Sequence, residues 1–170
     1  MMTVTTSMNN DSFGSIETIL PHRGTMLLLD AVSACTDETV TAYASLRADA
    51  WYADGDGSMP AWIGIELMAQ AIAAHVAILA MRAGGRARPG VLLGSRRYEA
   101  HVPVFARGAR LRIEAKELLR GEEGHGAYEC SIHHDQKLDR KHSTVCCAEA
   151  VIKVYQPADF QSFIVGSFGS

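Results

Sequence analysis

Between Pro60 and Arg82 the sequence is apolar except for Glu66, Gln70 and His75. Pro60 suits a first helical turn and Gly84-Gly85 a stop, so the run reads as one long helix. A helix that is apolar nearly all round must be covered nearly all round. A bilayer is one possible cover, because this many residues at about 1.5 Å each can cross it. Three features argue against that cover. Glu66 in lipid costs on the order of 3 kcal/mol, the run is rich in Ala rather than Leu, and the flanking segments alternate polar and apolar residues. The expectation is a core helix in a protein that does not enter a membrane.

The flanks supply the cover. Met26 to Ser33 and Thr39 to Leu46 precede the helix as strand-like runs, the second setting Val40, Ala42, Ala44 and Leu46 against Thr39, Thr41, Tyr43 and Ser45. That is the period of a strand with one face buried. After Pro89, four more strands are expected at Val91–Ala100, Arg110–Arg120, Ala127–His133 and Thr144–Tyr155. The turns between them carry Gly108, Gly121, Gly124, Gly126 and an Asp135-Gln136-Lys137 corner. Ser15–Leu20 reads as a short helix stopped by Pro21. The fold class is α+β, an antiparallel sheet of about six strands wrapped around one central helix. Residues 1–12 are expected as a loose tail, 13–156 as one domain and 157–170 as a C-terminal tail.

Composition narrows the function classes. The 170 residues are 48% hydrophobic with a net charge of −3, which supplies a real core and gives no reason to expect nucleic acid. Cys35, Cys130, Cys146 and Cys147 form no C-x-x-C pair and follow no export signal, so a reduced cytoplasmic setting is expected. His125, His133, His134 and His142 with Cys130, Cys146 and Cys147 lack zinc-ligand spacing. Asp54-x-Asp56-x-Ser58 lacks the glycine and the closing Glu of a calcium loop. No metal site is expected.

Glu66 carries the chemistry. An unpaired carboxylate on a helix built for burial costs several kcal/mol or shifts toward its neutral form, and a neutral carboxylic acid near pH 7 is a good general acid. The bland alternative is a carboxylate that pairs with a buried Arg or caps backbone. Gln70, one turn on, can hydrogen-bond Glu66 or tie the helix to a loop.

Leu20-Pro21-His22-Arg23-Gly24-Thr25-Met26-Leu27-Leu28-Leu29-Asp30 resembles the LPHRxPxLLxD opening of the hotdog-fold 3-hydroxyacyl-acyl-carrier-protein dehydratases. Met59-Pro60-Ala61-Trp62-Ile63-Gly64-Ile65-Glu66-Leu67-Met68-Ala69-Gln70 resembles the FPGVLxxExMAQ start of their central helix, and Arg97–Val104 followed by Gly108 their next strand and turn. Within that superfamily the chain is most similar to the ApeP-type dehydratases of aryl polyene clusters, whose helix start reads P-x-W-x-G-I-E-x-M-A-Q. The resemblance implies a hotdog fold, dimers with sites between subunits, no cofactor, and a substrate carried on the phosphopantetheine of an acyl carrier protein. The dimer is either a homodimer or a heterodimer with a second hotdog dehydratase subunit.

One position departs from the pattern. Counting back without gaps from Glu66 sets Tyr52-Ala53-Asp54-Gly55 where the family reads HFPG, so its catalytic His is replaced by Tyr52. Dehydration needs a base for the α-proton, an acid for the leaving hydroxyl and donors for the thioester oxygen. Glu66 is the candidate acid. Tyr52, Asp54, His22 or a partner's His are the candidate bases, with His22 read chiefly as architecture. The backbone near Ala61 and Trp62, with Gly55 and Gln70, is the candidate oxyanion and substrate-binding set. Ten of the sixteen basic residues lie between Arg82 and Arg120, against only Glu99, Glu114 and Glu117. Arg86, Arg88, Arg96 and Arg97 are therefore the candidate dock for an acidic carrier protein. Two other hotdog functions compete with the dehydratase, a non-catalytic subunit that completes a paralogue and an acyl-thioesterase.

Overall fold

The computed structural model describes residues 13–138 and 141–168; the N-terminal tail expected over 1–12 lies outside them. In chain order the elements are α1 (Ile16–Ile19), β1 (Ala31–Cys35), β2 (Thr39–Ser45), β3 (Met59–Pro60), α2 (Gly64–Arg82), β4 (Val91–Ala100), β5 (Val104–Phe105), β6 (Arg110–Arg120), β7 (His125–Leu138), β8 (Lys141–Tyr155) and α3 (Phe160–Phe168). Six strands form one antiparallel sheet in the order β1-β2-β6-β7-β8-β4. This is the expected hotdog arrangement, with α2 as the filling.

Strand alternation explains the wrap. Val40, Ala42 and Ala44 of β2, Leu111, Ile113 and Ala115 of β6, Tyr128, Cys130 and Ile132 of β7, and Ala148, Ala150 and Ile152 of β8 are all buried. They meet Leu67, Met68, Ala71, Ile72, Ala74 and Ile78 of α2 in one core. The helix long and apolar enough to cross a membrane, Ala61–Arg82, is thus mostly covered by the protein's own sheet.

Four expectations about the elements need correction. Met26–Leu29 is not strand: a 3₁₀ turn occupies Gly24–Met26, and the Leu28 N–H and Met26 carbonyl are taken by the Gln70 side chain rather than by a sheet neighbour. Pro60 is not the first helical residue. It is extended and pairs with Val104, as Met59 does with Phe105, so the helix enters through a 3₁₀ turn at Ala61–Ile63. The Asp135-Gln136-Lys137 corner is absent, because β7 and β8 stay in register through Leu138↔Lys141. The C-terminal segment contains α3, capped by Asp159, whose carboxylate accepts from the Gln161 and Ser162 N–H groups and the Ser162 hydroxyl.

Candidate active site

Glu66 is the third residue of α2 and faces a cleft rather than the sealed core. Its side chain is 37% exposed, so the deep burial expected from the sequence is not found. Helical spacing puts Glu66, Ala69, Ala73, Val76 and Ala77 on one stripe, and that stripe forms one wall of a largely apolar cavity of about 280 Å³. These three of the helix's alanines keep the space open, because a larger side chain at any of them would take it up. Opposite stand His22 with Ile19 and Pro21, the segment from Ala87 to Leu92, and the end of β8.

Gln70 holds the carboxylate in place. Fully buried, it donates from Nε2 to Glu66 Oε1 at 2.9 Å and to the Met26 carbonyl at 2.8 Å, and its Oε1 accepts from Leu28 N–H at 3.0 Å. It therefore acts both as the neighbour of Glu66 and as the helix-to-loop tie. The same tie docks the segment after Leu20, which carries His22, onto α2. Arg23 sets the local bend by donating to the carbonyls of Leu20 and His22 at 2.6 and 2.7 Å.

His22, read from the sequence chiefly as architecture, stands next to Glu66. Its Nε2 lies 3.9 Å from Glu66 Oε1, and both side chains line the cavity. That separation is too long for a direct hydrogen bond, so a substrate atom can engage both groups. Nδ1 is shielded from solvent and has no hydrogen-bond partner among the described residues, so no protein group fixes the tautomer. The signal available in the sequence was the Pro-His-Arg turn; that it folds back onto the Glu66 turn is a tertiary fact.

The other candidates separate. Tyr52 is buried with its hydroxyl accepting from Arg47 N–H at 3.0 Å, and its ring meets Trp51 edge-on. Asp54 and Gly55 are exposed in the loop that Asp56 and Ser58 close. None of these three lines the cavity that holds Glu66. The Ala61 N–H is spent on the Pro103 carbonyl at 3.1 Å, and Ala61 and Trp62 border a separate open groove with Tyr98 and Pro103. The Gly64 N–H donates to the Ala61 carbonyl across the 3₁₀ turn, which leaves the Trp62 N–H of that helix start without an intrahelical acceptor by position. Arg88 lines the Glu66 cavity, and Arg86, just before the lining residue Ala87, is exposed. Arg97 instead forks onto Glu99 Oε2 at 2.5 and 3.1 Å, away from the cavity.

Comparison with known proteins bears on the fold and the family. The chain is similar over 91% of its length, and 97% of the other's, to a chain of the dehydratase heterocomplex ApeI:P from Xenorhabdus doucetiae, with 26% identity and a TM-score of 0.79. It shares its fold with the phenylacetic acid degradation protein PaaI from Thermus thermophilus, at 18% identity and TM-score 0.54 over 76% of this chain and 94% of that one. A hypothetical thioesterase from Streptococcus pneumoniae is similar at 16% identity and TM-score 0.51, over 75% and 87%. No curated protein sequence matches. The model of the ApeP-like family, described as ApeP dehydratase, matches residues 14–165, and the chain belongs to that family of hotdog dehydratases.

Proposed function

We propose that the chain is a subunit of a 3-hydroxyacyl thioester dehydratase acting on carrier-bound fatty-acyl or polyene intermediates, with Glu66 as its acid. The observation that carries this reading is the pair of titratable side chains, Glu66 and His22, set 3.9 Å apart on the wall of an alanine-lined apolar cavity. A base removes the α-proton, and Glu66 protonates the β-hydroxyl, which leaves as water. The product is a 2-enoyl thioester. No step requires a cofactor. The acyl chain runs along Ala69, Ala73 and Ala77, and Arg88 at the cavity wall meets the phosphate of the phosphopantetheine arm.

Two sources for the base follow from two observations. Among the described residues, His22 is the titratable group nearest Glu66. A second hotdog subunit is the other source, because Tyr52 is engaged with Arg47 and a similar chain is solved within the dehydratase heterocomplex ApeI:P. Water loss from a 3-hydroxyacyl thioester is to be assayed for the chain alone and with that partner. Glu66→Gln should lower the rate by about 10²–10⁴-fold in whichever state is active. An unchanged rate defeats the proposal, and free thiol release instead of the enoyl product makes the chain a thioesterase. If His22→Asn lowers the rate equally, His22 is the base. If it does not, and activity appears only with the partner, the base is the partner's.

A further inference from the structure

On the outer face of the sheet, remote in sequence from Glu66, β4 and β8 are paired so that Glu99 stands directly opposite Glu149. Like charges in that position destabilise a ladder. Arg97 answers one of them by forking onto Glu99. The other faces His101, whose Nε2 is 2.9 Å from Glu149 Oε2. His101 is held just past the end of β4 by its own backbone N–H, which donates to the Cys147 carbonyl at 2.8 Å.

A bulge brings in the third group. The β7–β8 register steps from Ile132↔Ala148 to His133↔Cys146, so Cys147 is the extra residue. Cys147 and Ala148 are both buried, while Cys146 is half-buried three residues before the exposed Glu149. The bulge thereby re-aims Cys146 to the side that Glu149 occupies. The ligand atoms of His101, Cys146 and Glu149 all lie within 4.8 Å of one another.

We propose that His101, Cys146 and Glu149 form a binding site for a zinc-type divalent ion on the outer face of the sheet. Imidazole, thiol and carboxylate together are the donors of such an ion and not of magnesium or calcium. Three protein ligands leave a fourth position for water. Spacing in the sequence gives no sign of the site, because His101 is far from the two β8 ligands and the bulge sets the third. None of the three residues lines the Glu66 cavity, so the ion is structural. It fastens β8 to the edge strand β4 and to the turn whose Pro103 carbonyl holds Ala61, and so steadies the start of α2.

The test titrates Co²⁺ and then Zn²⁺ into chelator-treated, untagged protein. One Co²⁺ per chain should bind with a thiolate-to-metal absorption band and be displaced by Zn²⁺. Because a protonated thiol must ionise, binding should release a proton, read by calorimetry in buffers of different ionisation enthalpy. Cys146→Ser should abolish the band, and His101→Gln and Glu149→Gln should each weaken binding tenfold or more. His133→Gln and Cys35→Ser should leave it unchanged; His133 Nε2 is held by Ser131 at 2.9 Å and Glu114 at 3.4 Å. Zn²⁺ should raise the melting temperature of the wild type but not of His101→Gln. The proposal fails if binding does not saturate at one ion per chain, if the bound Co²⁺ lacks the thiolate band, or if affinity survives in His101→Gln and Cys146→Ser.

Discussion

His75 is fully buried, and it faces away from the cavity that Glu66 serves. Its Nε2 lies 3.0 Å from the Thr36 carbonyl, which only accepts, so the proton sits on Nε2 and Nδ1 faces the Tyr128 hydroxyl at 3.1 Å. Burial pushes the ring below its ordinary value, outweighing the Thr36 carbonyl and the Glu117 charge that pull the other way. The unfolded chain, with an ordinary His near 6.5, therefore binds more protons than the folded one just below that pH. Stability from this group is present above about pH 6.5 and is lost as pH falls toward the lowered folded value. Melting temperature should decline from pH 7 to pH 5, and His75→Gln should flatten part of that slope. An identical slope in the variant would show that the ring titrates no differently in the folded and unfolded chain.

The entry to α2 depends on one missing methyl group. A Cβ at Gly64 would run into the Tyr98 hydroxyl and lie 2.9 Å from Ile132 Cδ1 and 3.1 Å from Phe105 Cζ. Tyr98 in turn donates to the Ala61 carbonyl, and burial raises it to about 12, so it stays a donor at any working pH. Gly64→Ala should cost about 1–3 kcal/mol by overpacking. Tyr98→Phe should cost less on its own and recover part of the loss in the double variant, read as a coupling energy from denaturant unfolding. Additive losses would mean that the two side chains do not compete for the same space. Much of this element was legible beforehand: Glu66, Gln70 and His75 stand out in an apolar run, and the two-residue period of β2 marks its inner face. The 3₁₀ start was not, because Pro60 is claimed by a pairing with Val104 that no local pattern announces. Nor was the half-exposure of Glu66, since periodicity gives the face of a helix but not where the covering chain opens a cleft. The place of His22 beside it follows from Gln70 docking Met26 and Leu28, a contact across more than forty residues.

Across the whole molecule the basic stretch after α2 resolves into spent and unspent charge. Arg97 is bound to Glu99, Arg112 to Glu114 at 3.4 Å and Arg120 to Glu117, while Arg110 lies over the Tyr43 ring. Arg86, Arg88 and Arg96 are exposed with no carboxylate partner among the described residues. Of these, Arg88 belongs to the wall of the Glu66 cavity and Arg86 directly precedes the lining residue Ala87, so under the proposed function these two are the charges to test for carrier docking. The two should therefore differ in what they sense. Arg86→Glu should raise KM for a carrier-bound substrate several-fold, increasingly so at low salt, and leave a free phosphopantetheine thioester untouched. Arg88→Glu should raise KM for both of these and spare only a short thioester without phosphate. The three substrates thus separate a protein-docking charge from a phosphate-binding one. Equal effects of Arg86→Glu on all three would place that residue in the fold or the acyl site and remove the carrier from its role.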